Sequence, residues 1–305
     1  MPDLREIKFP SLDEYIQEDE YIDIVTKFSK TPIEITSDPA QKVIAHINID
    51  YEKEKDFLRL SDFFTQEARM RSSFLGKITP YDFFTTNRAK IIRDIGYSPT
   101  YDSVYSYIWN NSSMCSNFPT LVVKKALEIY KPQNVFDPCA GWGDRMITCA
   151  SHNVSYTGVD PNKMLIPGYS KMISMLDLDT DNYRLISQPI EEFDHTSISP
   201  VDMVFTSPPF FDMERYTKSR NQSYLRYRDY DEWRKNFLEL MLDVSIDVLK
   251  KEGILALYVN NIRRYNILND TLFYLKNKKT VEYEGKITWD NTKYTKTMMI
   301  FKRHI

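Results

Sequence analysis

The chain has 305 residues, of which 42% are hydrophobic and 27% are charged, a balance typical of a globular protein rather than a mostly disordered one. Its apolar runs are far shorter than a membrane span, and its formal net charge of −3 excludes a chain that is basic throughout. Scattered cysteines without a CxxC pair and scattered histidines argue against a disulfide scaffold and a metal site. The opening residues MPDLREIKFP contain no signal segment, so we expect an intracellular, cytoplasmic protein without membrane contact.

Residues 1–110 are predicted to form a mainly helical N-terminal region. Apolar residues recur at helical spacing in residues 11–30, 56–74 and 79–95, and a short aromatic-rich helix is expected over 101–109. Two roles remain open for this region. It completes a hydrophobic core as a cap, or it recognises the substrate.

Residues 111–305 are predicted to form an α/β domain. Helical stretches separate short apolar strands, which are expected at residues 134–136, 154–159, 183–187, 201–205 and 254–259. A closing pair of strands is expected at residues 281–288 and 297–302 and is predicted to form a hairpin at the sheet edge. Because strands that alternate with helices usually run parallel, we expect a Rossmann-like, mostly parallel, seven-stranded sheet with a C-terminal hairpin.

The first candidate site follows the first of these strands. Residues 137–143 read Asp-Pro-Cys-Ala-Gly-Trp-Gly, and their two glycines allow a sharp turn and a close approach of the backbone to a ligand. The second strand ends at Asp160, where an acid can accept hydrogen bonds from the two hydroxyls of a ribose. The dinucleotide-binding fingerprint and the P-loop do not fit, because the third glycine of the former and the Gly-Lys-Ser/Thr of the latter are missing.

Residues 135–143 resemble the cofactor motif of S-adenosylmethionine-dependent methyltransferases, in the Asp-Pro-x-x-Gly-x-Gly form of the amino-methyltransferases that act on nucleic-acid bases. The resemblance implies S-adenosylmethionine as the cofactor. It places the methionine part near Asp137, the glycine turn and residues 117–121, the ribose at Asp160, and the adenine beside residues 187–188. The implied cofactor-binding residues are Phe118, Pro119, Asp137, Cys139, Ala140, Gly141, Gly143, Asp160, Ser187 and Gln188.

The second candidate site follows the fourth predicted strand, where residues 206–211 read Thr-Ser-Pro-Pro-Phe-Phe. This segment resembles the Asp/Asn/Ser-Pro-Pro-aromatic tetrapeptide of the same enzymes. An exocyclic amine of a base is a poor nucleophile because its lone pair is delocalised into the ring. Two acceptors, the Ser207 side chain and the Pro208 carbonyl, would prepare that nitrogen for direct methyl transfer. An aromatic ring at Phe210 would stack on a flipped-out base. The implied catalytic residues are Ser207, Pro208, Pro209 and Phe210.

The first residue of this tetrapeptide bears on the target base. Within the family, serine is typical of enzymes that methylate N4 of cytosine, and aspartate or asparagine of those that methylate N6 of adenine. We therefore expect N4-cytosine methylation of DNA, with an N6-adenine DNA or RNA base methyltransferase as the alternative. An inactive, methyltransferase-like subunit that binds nucleic acid is an alternative of another class. The full set of motifs is similar to small methyltransferases of phages and large DNA viruses, which would act in the host cytoplasm or in the virion.

Basic and tyrosine residues interleave directly after the proline pair, and a further basic pair follows the fifth strand. Cations of this kind track phosphates and aromatic rings stack on bases, so we expect these residues to bind nucleic acid, DNA rather than RNA. The oligomeric state stays open. The predicted nucleic-acid-binding residues are Arg215, Lys218, Arg220, Tyr224, Arg226, Arg228, Arg263 and Arg264.

Overall fold

The computed structural model describes residues 9–96, 100–262, 264–290 and 294–305. The N-terminal region contains α1 (Glu18–Lys30), β1 (Ile35–Asp38), β2 (Val43–Ile47), α2 (Asp62–Met70), β3 (Ser73–Phe74), α3 (Pro80–Ile95) and α4 (Tyr101–Asn111). The next elements are α5 (Thr120–Tyr130), β4 (Asn134–Asp137), α6 (Asp144–Ser151), β5 (Ser155–Val159), α7 (Ile166–Met175), β6 (Tyr183–Ile186) and β7 (Val201–Thr206). The last elements are β8 (Glu214–Arg215), α8 (Ser223–Arg226), α9 (Tyr230–Trp233), a π-helical segment (Arg234–Glu239), α10 (Leu240–Asp247), β9 (Leu249–Leu257), α11 (Ile267–Lys276), β10 (Val281–Asp290) and β11 (Thr295–Arg303).

One large sheet forms the centre of the molecule. Within the described residues its strand order is β1-β2-β10-β11-β9-β7-β4-β5-β6. Strands β6, β5, β4, β7 and β9 run parallel, and β11 runs antiparallel to both β9 and β10. The strand order reverses between β4 and β7, and open α/β sheets bind ligands at such a reversal, beyond the carboxyl ends of the strands. The predicted Rossmann-like α/β fold and its C-terminal hairpin are confirmed.

The sheet is wider than the seven strands that the sequence predicts. Strand β2 pairs in parallel with β10, and β1 pairs antiparallel with β2, so the N-terminal region extends the sheet to nine strands within the described residues. The predicted position of the β10–β11 hairpin at the sheet edge is therefore wrong, because β2 covers the free side of β10. The five residues of β2, Val-Ile-Ala-His-Ile, are too few to show a clear alternation of apolar and polar residues. Its parallel partner β10 is also distant in the sequence, so no local pattern predicts the pairing.

Helices cover both faces of the sheet and bury two hydrophobic cores. One core joins the N-terminal region to the rest, since Tyr21, Phe28 and Phe63 pack in the same cluster as Leu121 and Ile147. The other core lies under α10, α11 and the π-helical segment. In the ranges that the structure describes, no helix is both long and apolar enough to cross a membrane.

Helix α5 is buried along most of its length and links the two parts of the chain. Its Lys124 side chain is 1% exposed, and the ammonium group donates to the main-chain carbonyls of Phe28 at 2.8 Å and of Ser29 at 2.6 Å. These carbonyls belong to the last turn of α1, where a cation satisfies otherwise unpaired acceptors. The contact fixes the end of α1 against the α/β region.

Candidate active site

Asp137 ends β4 and is fully buried beneath the glycine loop, which we define as residues 138–143. Its carboxylate accepts hydrogen bonds from the Arg145 guanidinium, from the Tyr156 hydroxyl at 2.8 Å and from the Thr206 hydroxyl at 2.9 Å. Thr206 is the last residue of β7. A buried hydrogen bond therefore joins the two strand ends from which the two sequence motifs continue.

The glycine loop depends on both of its glycines. Their φ angles are +60° at Gly141 and +97° at Gly143, a region that side chains rarely adopt without strain. A Cβ atom at Gly143 would lie 3.0 Å from the terminal methyl of Met172. The Arg145 guanidinium donates to the main-chain carbonyl of Cys139 at 2.6 Å and so holds the first part of the loop.

Asp160 follows β5 and faces the glycine loop. Its carboxylate accepts the main-chain N–H groups of Gly141 and Asn162, each at 2.9 Å. Burial raises the pKa of Asp160 to about 6, although these two hydrogen bonds oppose the shift. The side-chain Nδ2 of Asn162 is buried and has no hydrogen-bond partner among the described residues. This corner suits a polar ligand that donates to a carboxylate and accepts from an amide.

The N-terminal region contacts the glycine loop through α2 and the residue before it. The Thr65 hydroxyl donates to the main-chain carbonyl of Trp142 at 2.6 Å, and the Ser61 hydroxyl donates to the carboxylate of Asp144 at 2.5 Å. Asp144 also accepts the main-chain N–H of Phe118 at 2.9 Å, and burial raises the pKa of its carboxyl. The sequence does not identify Ser61 or Thr65, because no local pattern shows that they meet a loop so far along the chain.

The proline loop, which we define as residues 207–211, follows β7. Its last residue, Phe211, has a φ of +53°, which is uncommon for a residue other than glycine. The Phe211 ring is buried, with its centroid 5.5 Å from that of Trp233 and 5.1 Å from that of Tyr265. This packing anchors the end of the loop, while Ser207 and Phe210 remain half-buried at the cavity described next.

A cavity of about 480 Å³ lies between the glycine loop and the proline loop. The predicted site residues that line it are Phe118, Pro119, Cys139, Gly141, Asp160, Ser207, Pro209 and Phe210. The predicted site residues outside its lining are Asp137, Ala140, Gly143, Pro208, Ser187 and Gln188. The fold thus brings the two motifs to one cavity. Asp137 is enclosed by its own hydrogen bonds, so it supports the site from beneath rather than facing the cavity.

Other side chains in the cavity lining are not among the site residues that the sequence predicts, although Asp144 and Arg145 directly follow the glycine motif. They include Phe74, Asp144, Arg145, Glu214, Tyr258, Asn260, Trp289 and Lys296. Tyr216, which the sequence marks only as part of a basic stretch, donates its hydroxyl to the Glu214 carboxylate at 2.6 Å. Burial raises the pKa of Glu214 and lowers that of Lys296. Rings beside hydrogen-bonding groups suit a flat, polar ligand.

The Cys139 thiol also lines the cavity, but its surroundings keep it neutral. Burial raises the pKa of this thiol well above its ordinary value, and the nearby carboxylates of Asp137 and Asp160 act in the same direction. A thiol that keeps its proton is a weak nucleophile. The site therefore does not favour chemistry that begins with attack by a cysteine.

The predicted nucleic-acid-binding residues fall into two groups. The side chains of Arg215, Lys218, Arg220, Arg228 and Arg264 are exposed. Arg226 is half-buried, and its guanidinium lies 2.7 Å from the Glu192 carboxylate and 3.7 Å from that of Glu191. These two acids stand near residue 190 in the sequence, so local charge counting did not reveal the pairing. Arg226 is therefore an ion-paired group and not a free cation.

Tyr224 and Arg263 belong to neither group. Tyr224 is half-buried, and its hydroxyl donates to the main-chain carbonyl of Thr217 at 3.2 Å, so its ring is part of the folded segment. Arg263 lies outside the described residues.

No family model and no curated protein matches the chain, whereas many solved structures do. An rRNA methylase from Streptococcus thermophilus is 14% identical, with 61% of this chain and 94% of that chain covered and a TM-score of 0.42. A precorrin-6y C5,15-methyltransferase from Geobacter metallireducens is 14% identical, with coverages of 62% and 89% and a TM-score of 0.42. NSun6 from Pyrococcus horikoshii, solved with SFG, is 12% identical, with coverages of 62% and 53% and a TM-score of 0.44.

At these values the likeness concerns the fold alone, and the fold assignment rests on the strand order and strand directions of this sheet. The chemistry depends on the side chains that meet in the cavity. There, a glycine turn and an acidic strand end face a serine and an aromatic ring on a proline-stiffened loop.

Proposed function

We propose that this protein transfers a methyl group from S-adenosylmethionine to the exocyclic amine of a nucleic-acid base, with N4 of cytosine in DNA as the expected target. One observation carries the proposal. Gly141 and Asp160, from the cofactor motif, line the same cavity as Ser207 and Phe210, from the catalytic motif. A single cavity of about 480 Å³ can hold a cofactor and a base side by side.

The residues present fit the cofactor. Gly141 has a backbone that other residues rarely adopt, and its N–H aligns the Asp160 carboxylate, which keeps further lone pairs for ribose hydroxyls. The buried Nδ2 of Asn162 has no protein partner among the described residues and can donate to the same ligand. The cofactor, when bound, supplies an electrophilic methyl group on a sulfonium. The residues that would hold it are Phe118, Pro119, Cys139, Gly141 and Asp160.

The remaining predicted cofactor residues take supporting roles in this proposal. Asp137, Ala140 and Gly143 do not line the cavity. In this proposal they maintain the shape of the glycine loop instead of contacting the cofactor with their side chains. Ser187 and Gln188 stay a prediction for the adenine end. The buried hydroxyl of Ser187 has no hydrogen-bond partner among the described residues, which is consistent with a ligand nearby.

The proline loop would prepare the amine. The Ser207 hydroxyl and the Pro208 carbonyl each accept one N–H, which draws the nitrogen away from the planar geometry that delocalises its lone pair. Two consecutive prolines and the packed Phe211 ring keep the loop rigid, so the acceptors need little rearrangement during the reaction. Phe210 would stack on the base and hold its plane. The neutral Cys139 thiol disfavours the covalent route by which C5 of cytosine is methylated.

The experiment is to incubate the protein with labelled S-adenosylmethionine and separate DNA and RNA pools, and then to identify methylated nucleosides by mass spectrometry. We expect N4-methylcytosine from DNA. N6-methyladenine, or label in RNA alone, would change the base or the polymer but keep the amine chemistry. Either 5-methylcytosine or a ribose-methylated nucleoside would refute the proposal, and absence of label with both pools would favour an inactive binding subunit.

The Ser207→Ala variant tests the catalytic role directly. Loss of one preorganised hydrogen-bond acceptor should lower turnover by roughly ten- to a thousandfold. The affinity for S-adenosylmethionine, measured by calorimetry, should not change, because Ser207 lies on the other loop. A variant with unchanged turnover would remove Ser207 from the mechanism.

A further inference from the structure

A tight turn at residues 74–77 carries an apolar residue at its tip. The main-chain N–H of Lys77 donates to the carbonyl of Phe74 at 3.1 Å, and the two central residues have positive φ angles, 54° at Leu75 and 69° at Gly76. Two positive φ angles at the centre of a four-residue turn define type I′. The turn follows β3, which pairs antiparallel with β8.

Leucine is an unusual residue for the first central position of such a turn. Asparagine, aspartate and glycine tolerate the left-handed region there, whereas a leucine side chain is strained. Burial does not compensate for the strain, because Leu75 is 58% exposed. The structure thus holds a large apolar side chain outward on a rigid support, at a position where a polar residue would stabilise the turn more.

This turn lies at the rim of the cavity. Phe74, its first residue, lines the cavity, and the main-chain N–H of Leu75 donates at 2.7 Å to the carbonyl of Met213, which also lines it. The Arg215 guanidinium packs over the turn, since a Cβ atom at Gly76 would lie 3.3 Å from its Nη1.

Two exposed basic residues belong to the turn or pack on it. Lys77 and Arg215 are both exposed, and neither forms an ion pair within the part of the chain that the structure describes. The Arg215 guanidinium lies 5.9 Å from the centroid of the Tyr224 ring. An exposed apolar tip beside two cations, at the rim of a cavity that suits a flat ligand, is the combination that a duplex with one displaced base would require.

We infer that Leu75 is a wedge for duplex DNA, which enters the base stack as the target base moves into the cavity, while Lys77 and Arg215 contact the flanking phosphates. The inference rests on the proposed function and extends it to the form of the substrate. Proteins that distort DNA insert apolar side chains between base steps, and the inserted group covers the faces that unstacking exposes. A base in single-stranded DNA has no pairing partner and leaves its neighbours at a lower cost, so the wedge should matter mainly for duplex DNA.

The test compares linearised, unmethylated plasmid DNA with the same DNA after heat denaturation and rapid cooling, which keeps the strands apart. Leu75→Asn removes the apolar tip and gives the turn a residue that type I′ geometry favours, so the variant should fold at least as stably as the parent. We expect kcat/KM on native DNA to fall by about tenfold or more, while kcat/KM on denatured DNA stays within about twofold of the parent. Phe273→Ala is the matched control, because Phe273 is 73% exposed and lies outside the cavity lining.

The outcomes separate the inference from the function on which it rests. Suppose that the parent methylates DNA. If Leu75→Asn then loses activity equally on native and denatured DNA, or keeps the parent's activity on both, the wedge is wrong and the proposed function stands. A parent enzyme that methylates denatured DNA only would also overturn the wedge. If the parent methylates neither form of DNA, the proposed DNA methylation itself is wrong and the wedge fails with it.

Discussion

The Thr206 hydroxyl donates a 2.9 Å hydrogen bond to the buried carboxylate of Asp137. Asp137 is the residue before the glycine loop and Thr206 is the residue before the proline loop. Both side chains are fully buried, so water does not compete for the bond. This bond adds to the parallel pairing of β4 with β7 and helps to hold the two loops in position relative to each other.

Thr206→Val should therefore weaken both the fold and the reaction. The change leaves the Asp137 carboxylate with one donor fewer in a buried place, which should lower the free energy of unfolding by about 1–3 kcal/mol. Turnover should fall as well, because the proline loop loses its link to the glycine loop. Denaturant unfolding and initial methylation rates measure the two effects. Thr271→Val is the control, since the buried Thr271 hydroxyl has no hydrogen-bond partner among the described residues. Equal changes in stability and in methylation rate in Thr206→Val and Thr271→Val would contradict the role assigned to the Thr206–Asp137 hydrogen bond.

Cofactor affinity should depend on pH through Asp160. Burial raises the pKa of its carboxyl to about 6, so the group gains a proton as the pH falls below that value. A neutral carboxyl is a weaker acceptor than a carboxylate, and affinity for S-adenosylmethionine should therefore fall with decreasing pH in this range. Calorimetry at pH 5 to 8 measures the trend. Asp160→Asn should bind weakly at every pH, and a parent-like pH dependence in this variant would assign the titration to another group.

A side chain at Gly143 would meet both an unfavourable φ angle and a close contact, and a substitution at Gly96 measures the effect of the φ angle alone. Gly143→Ala adds an unfavourable φ and a contact of 3.0 Å with the Met172 side chain, whereas Gly96→Ala adds the unfavourable φ with no described atom within 4 Å of the new Cβ. Both variants should lose about 1 kcal/mol or more of stability from the backbone alone. Gly143→Ala should in addition bind S-adenosylmethionine more weakly, because the glycine loop must shift. Equal cofactor affinities in the two variants would show that the loop does not need its native shape.

The exposed cations of the segment after the proline loop should govern the salt dependence of DNA binding. Replacing Lys218, Arg220 and Arg228 together with glutamine should weaken binding and reduce the slope of log K against log salt by roughly one unit per lost phosphate contact. Arg226→Gln is the matched control, because its guanidinium is already paired with Glu191 and Glu192. A triple variant with the parent's salt slope would leave this segment without a role in binding.

The sequence was sufficient to predict the parts of the molecule that have local signatures. Strand β4 (Asn134–Asp137) and strand β5 (Ser155–Val159) end within one residue of the predicted positions, because buried apolar runs and turn residues act within a few positions. The meeting of the two motifs also followed from the rule that parallel strands bring their carboxyl ends to one edge.

Contacts between distant segments could not be predicted in this way. Ser61 and Asp144 are 83 positions apart, and neither belongs to a motif that names the other. The pairing of Arg226 with Glu192 could not be predicted either, because the two residues are 34 positions apart and share no motif. The motif predicts that Asp137 binds the cofactor, but its carboxylate accepts hydrogen bonds from Arg145, Tyr156 and Thr206.

The place of β2 in the sheet also bears on how the chain folds during synthesis. His46 of β2 lies opposite Thr288 of β10, a separation of 242 positions, and the Thr288 side chain hydrogen-bonds the His46 ring at 2.9 Å. The ribosome therefore releases β1 and β2 long before their partner exists, and closing so long a loop is slow. We expect β1 and β2 to dock last during folding. Amide exchange should show the reverse process, with this edge opening before the strands around Asp137.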